Sequence, residues 1–110
     1  MIIIRTFINV LPEKRKEVLQ TLLSLVKPSG SEKGCLSYAV FRDIEDKNAF
    51  DLISEWSTRE DLERHVKSDR FGVLLGTRTL LRAPPSIRIH TVSNSEGMEM
   101  IEAIRNKKKN

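Results

Sequence analysis

The chain is short of the residues that make chemistry easy to recognise. Its 110 residues include one cysteine, one tryptophan, one tyrosine and two histidines, and aromatics make up 5%. One cysteine excludes an internal disulfide and cannot by itself build a cysteine-based metal site. No Walker, Rossmann or zinc pattern occurs. The longest apolar runs, residues 1–4 and 22–26 with Ser24 inside, are far too short to span a bilayer. Lys14, Arg15 and Lys16 follow a strand-like start instead of preceding an apolar segment, so no signal peptide is expected. A reducing cytoplasm fits a chain with a single thiol. Charge of one sign is scarce everywhere except at one end. The net charge is +4, but Arg105, Lys107, Lys108 and Lys109 all lie in the last few residues, and without them bases and acids balance. A short basic terminus without interleaved aromatics reads as a solvated end, so neither nucleic acid nor membrane is expected as a partner.

What is present is an ordinary globular composition, 39% hydrophobic and 31% charged, in a length that suits one domain with a modest core. Residues 1–10 are β-branched and nearly all apolar, and Pro12 follows, which favours a strand. Ile2, Ile4, Thr6, Ile8 and Val10 share one face; Ile3, Arg5, Phe7 and Asn9 share the other. Both faces should be covered, and Arg5 either pairs with a carboxylate or faces a polar cavity. Pro12 suits the first turn of a helix, in which Val18, Leu22, Leu25 and Val26 form an apolar stripe widened by Leu19 and Leu23. Pro28 predicts its end by Lys27. A polar loop over residues 29–34 leads to a second strand over 35–43 and a third over 49–56. The short connection between them predicts an antiparallel hairpin.

Ser57 or Thr58 caps the next helix, with Glu60 or Asp61 at capping-box spacing, and Leu62, Val66 and His65 turn inward. Ser68 and Asp69 re-cap the chain into a second helical segment over 70–81, weakened by Gly72 and Gly76. Residues 86–92 alternate as a fourth strand. Ser93 with Glu96 could cap a final short helix bearing Met98, Ile101, Ala103 and Ile104. The order β-α-β-β-α-β plus a terminal helix predicts an α+β, ferredoxin-like fold with a four-stranded antiparallel sheet. Residues 1–93 form the domain; 94–110 form the terminal helix and basic tail. Both sheet faces are apolar while helices cover only one, so the bare face predicts a homodimer packed sheet to sheet.

Several residues carry a family likeness once these elements are placed. They are Pro12 opening the first helix, the run Gly34-Cys35-Leu36-Ser37-Tyr38, Glu55 beside Trp56, and Leu62 with His65 nine residues after the tryptophan. On these the chain resembles the antibiotic-biosynthesis-monooxygenase-like group of dimeric α/β barrels, over roughly its first 92 residues. The resemblance implies a pocket between sheet and helices in each subunit. Among such proteins some oxygenate electron-rich aromatic or quinol substrates without flavin or metal; others degrade haem, isomerise small metabolites or have no known reaction. Leu52 stands where the polyketide-oxidising members look to carry Asn. His65 and Leu75 stand where the haem-degrading branch looks to carry Trp and His. Haem degradation is therefore not expected, and no cofactor is implied.

The candidate residues follow. His65 is a candidate general base, with Asp61 and Asp69 four residues to either side on a helix and Asp61 the candidate orienter; the alternative is a structural histidine. Trp56 either walls a pocket or fills the core. Tyr38 either bonds a ligand or packs, and Arg5, Leu52 and Leu75 complete the expected lining. Glu55 is either a base or an ion-pair partner for Arg5, Arg42 or Arg88. Cys35 reads as a small apolar residue, and His90 faces a partner subunit or the sheet surface. These residues suggest a cofactor-independent monooxygenase-like enzyme for a small aromatic or enolisable compound. The alternatives are a non-catalytic dimer that binds a small hydrophobic molecule, and an isomerase.

Overall fold

A computed structural model describes residues 1–107; of the expected basic tail, Lys108 and Lys109 lie outside the described residues. Four strands, β1 (Ile2–Asn9), β2 (Cys35–Arg42), β3 (Ala49–Trp56) and β4 (Ser86–Thr91), form one antiparallel sheet in the order β2-β3-β1-β4. Four α-helices accompany them: α1 (Arg15–Gly30), α2 (Arg59–Val66), α3 (Asp69–Gly76) and α4 (Met98–Lys107). This is the ferredoxin-like α+β arrangement that the pattern of strands and helices predicts.

Strand parity decides which side chains are covered. On β1, Ile2, Ile4, Thr6 and Ile8 are buried under the helices, and Phe50, Leu52, Ser54 and Trp56 of β3 pair with them in register on the same face. Val18, Leu22 and Leu25 of α1, Leu62 of α2 and Phe71 and Leu74 of α3 close the other side of that core. Each such side chain contributes roughly 1.5–3 kcal/mol on leaving water. A surface pair such as Arg59–Glu63, an i,i+4 contact at 3.2 Å, contributes about 0.3–0.5 kcal/mol. The covered face, not the ion pairs, holds the fold together. Among the described residues no helix covers the opposite face of the sheet, and Phe7 and Phe41 stand exposed on it.

Five local expectations are revised. Helix α1 runs through Pro28 to Gly30 and does not stop at Lys27. A proline removes only one helical N–H, and the last turn is closed by Ser31, whose N–H and Oγ both donate to the Lys27 carbonyl at 3.1 and 3.0 Å. Leu23 and Val66, expected inward, are exposed at the edges of their helical faces. The second segment is helical only as far as Gly76, then tightens into a 3-10 turn over Thr77–Leu80. The final helix begins at Met98, past Ser93 and Glu96, with the Gly97 carbonyl accepting from Met100 and Ile101. β4 is exposed along its whole length, because α1, α2 and α3 lie over the other three strands.

Gly34 fastens the loop between α1 and β2 to the helix layer. It has φ 79°, a left-handed conformation that favours glycine, and a Cβ there would overlap the Asp61 side chain. Its carbonyl accepts from the Ser57 N–H at 2.9 Å, just before α2 begins. Gly34→Ala is therefore predicted to lower stability by about 2 kcal/mol or more, from the backbone conformation and the overlap together. Urea unfolding with an unchanged midpoint would contradict this.

Candidate functional site

The site is assembled from the end of β3, the start of α2 and the loop that Gly34 anchors. Thr58 caps α2: its Oγ1 accepts from the Asp61 N–H at 3.1 Å. That cap sets the helix phase, which turns Leu62 and His65 inward one turn apart. His65 then lies flat on Trp56, ring centroids 4.5 Å apart at 25°. Tyr38 and Phe71 meet the imidazole edge-on at 5.9 and 5.4 Å. Trp56 is itself fixed by its Nε1–H, which donates to Ser54 Oγ at 2.9 Å.

The polar partner of the imidazole is Glu32. Its Oε2 and Oε1 lie 3.0 and 3.2 Å from His65 Nδ1, and only 3% of the His65 side chain is exposed. An ionised carboxylate can only accept, so the proton of that bond belongs on Nδ1. With the proton of that bond on Nδ1, Nε2 is the ring nitrogen left outside it. Arg70 Nη1 approaches Glu32 Oε2 at 3.5 Å and helps hold it. Burial pushes the Tyr38 phenol above its ordinary range, so it stays a neutral donor at the edge of this cluster.

Three of the expected site residues, His65, Trp56 and Tyr38, come together, and Leu52 lies in the adjoining core two positions from Ser54. Asp61 does not orient the imidazole. Its carboxylate accepts from Arg64 Nη1 at 2.8 Å and from Thr58 Oγ1 at 2.9 Å, outside the ring cluster. Arg5 lies on the opposite face of the sheet, where its Nη2 donates to Asp51 at 2.6 Å. There it borders a cleft of about 230 Å³ with Phe7, Ser86 and Arg88. The parity that buries Ile4 and Thr6 sends Arg5 the other way. Leu75 is partly exposed on α3, one residue beyond the buried Leu74. Glu55 forms no pair with arginine among the described residues; its Oε1 accepts from Ser37 Oγ at 2.5 Å across the hairpin. His90 sits on the helix-free face, opposite Ile3.

Glu32, Arg70 and Phe71 are the residues that sequence reasoning missed. Glu32 is the one acid in the loop of residues 29–34, and the Gly34 turn beside it was the available signal. Among the described residues there is no cluster of three or more metal-ligating side chains, and no helix is long and apolar enough to cross a membrane.

The fold is a ferredoxin-like sheet that carries a part-buried histidine–carboxylate pair walled by aromatics. The chain belongs to the antibiotic biosynthesis monooxygenase family, whose model matches residues 1–74. It is 33% identical to "Putative monooxygenase YcnE" of Bacillus subtilis over 76% of its own length and 90% of that protein. It is 28% identical to an uncharacterized protein of Synechocystis over 86% of its own length, and spans 65% of that protein. A solved antibiotic biosynthesis monooxygenase superposes with a TM-score of 0.78 at 24% identity, over 86% of this chain and 100% of the other, a likeness of fold alone.

Asp61 sets a pH dependence. Arg64 first and Thr58 second hold its carboxyl below the ordinary carboxylate range. A lowered folded-state pKa contributes stability above the unfolded value, about 3.9, and loses it as pH falls through the folded one. Asp61→Asn is predicted to lower the melting temperature at pH 7, with the gap to wild type narrowing as pH falls through and below the ordinary carboxylate range. Melts in a pH series that keep the gap constant would count against it.

Proposed function

We propose that this protein is a cofactor-independent monooxygenase-like enzyme for a small aromatic or enolisable, quinol-like compound, with His65 as general base and Glu32 as its positioning residue. The observation that carries this reading is the 3.0 Å contact between Glu32 and His65 Nδ1, which leaves Nε2 to take a proton. The carboxylate orients the ring and stabilises the imidazolium once formed. Trp56, Tyr38 and Phe71 make the surroundings flat and apolar, suited to an aromatic substrate. Deprotonation of a phenol or enol gives an electron-rich anion that can react with dioxygen at an adjacent or para carbon bearing hydrogen. One oxygen atom then enters the substrate as a carbonyl and the other leaves as water. The substrate supplies all four electrons, so no further reductant is required. The name of the Bacillus relative supports the same reaction class.

A second reading is favoured by the burial of His65, 2% exposed and stacked on Trp56 as a core residue would be. In it the same cluster binds a small hydrophobic molecule without turnover. We also infer that two copies pair through the helix-free face, where Phe7 and Phe41 are 43% and 53% exposed.

Oxygen uptake with hydroquinones and aromatic ketones, no metal added, tests the enzyme. His65→Gln is predicted to lower kcat/KM by about 10²–10⁴-fold, and Glu32→Gln to lower it by a smaller factor. Turnover without oxygen uptake would instead indicate an isomerase. Ligand-induced stabilisation that survives His65→Ala, with no turnover in wild type, would favour the binding protein. Sedimentation should give a dimer at micromolar concentration that Phe41→Asp shifts toward monomer.

A further inference from the structure

Helix α4 is amphipathic, and nothing among the described residues buries it. Met100, Ile101 and Ile104 fall on one side, 42%, 52% and 52% exposed, while Glu99, Glu102 and Asn106 fall on the other. None of its residues is buried. A ten-residue helix is marginal in water by itself and draws its stability from packing. The molecule measures 55 × 35 × 22 Å, elongated for its length, as suits a helix held off the body.

The complementary gap lies on the preceding strand. The helix layer stops short of β4, and Ile87 and Ile89, on its helix side opposite Thr6 and Ile4, are 36% and 43% exposed. The helix is about 15 Å long and the six-residue strand about 20 Å, so one can lie along the other.

We propose that α4 is an arm that packs onto a second copy of this chain, its Met100, Ile101 and Ile104 stripe over the Ile87 and Ile89 row of that copy's β4. Under two-fold symmetry each copy gives one arm and receives one, so both exposed features are covered at once. Interface size points the same way. The helix-free sheet face offers about a dozen outward side chains on its four strands. A stable interface takes roughly 20–30 residues a side, and the α4 stripe together with the β4 row it covers enlarges that face toward this size. The arm leaves the chain just past Thr91, at the end of the edge strand. The inference rests on the pairing of two copies proposed above.

Single-cysteine variants of the full chain in a Cys35→Ser background test it. Ile87→Cys or Ile89→Cys protein is mixed with Ile101→Cys or Ile104→Cys protein carrying a mass tag, and the mixture is oxidised. The expected product is a disulfide-linked pair of one tagged and one untagged chain, in at least one combination. The double substitution Ile101→Asp and Ile104→Asp should also raise the dimer dissociation constant by tenfold or more. Absence of linkage in all four combinations overturns the proposal. So does linkage confined to a single chain when both cysteines share it, which would place α4 on its own β4. Sedimentation separates the two readings: a dimer without arm linkage sinks the arm and leaves sheet pairing standing, whereas a monomer sinks both.

Discussion

The stack of His65 on Trp56, tied at its edge to Glu32, is the joint on which the arrangement of sheet, helix and loop depends. Each partner comes from a different part of the fold: Trp56 from the end of β3, His65 from α2, Glu32 from the loop after α1. A buried imidazole without a polar partner is costly, so the loop must bring a carboxylate to it. A part-buried carboxylate has a similar need, which Arg70 and the imidazole meet together. Removing either partner leaves the other uncompensated in a poorly hydrated place, and that mutual requirement makes the geometry specific.

Much of the local geometry serves this joint. The Thr58 cap sets the phase of α2, and Gly34 allows the loop to pass close to Asp61, which places Glu32 beside the ring. Asp61, which sequence spacing offers as the histidine's orienter, is drawn off by Thr58 and Arg64. It orders the helix start on which His65 depends, so it acts on the site through the backbone.

The second constraint is the uneven cover of the sheet. Three helices shield β1, β2 and β3 from one side, β4 is open on both, and the other side of the sheet carries exposed Phe7 and Phe41. A single chain of this size has too little structure to cover all that surface. The two-fold pairing and the α4 arm proposed above would answer that shortage with residues the chain carries.

How far the fold could be read from the residues depended on how local the cause was. Alternation in residues 2–9 and 49–56, Pro12, the Ser and Thr caps and the hairpin connection all act within a few positions, so the order of elements and the ferredoxin-like fold follow from the chain alone. The meeting of His65, Trp56 and Tyr38 was legible too, because cap phase and strand parity fix their directions. Alternation put Arg5 on the face opposite Ile4 and left it a carboxylate pair or a polar cavity; the pair with Asp51, far from the imidazole, follows only from the register of β1 against β3. Glu32 was missed for the same reason: no periodicity marks a loop carboxylate, and only the packing of α2 against the loop brings it to the ring. What the sequence by itself determined is therefore the elements, their order and which faces are apolar. The tertiary structure alone decided which acid meets the histidine, because hydrogen bonds between distant segments depend on ångström-scale placement that no local pattern encodes.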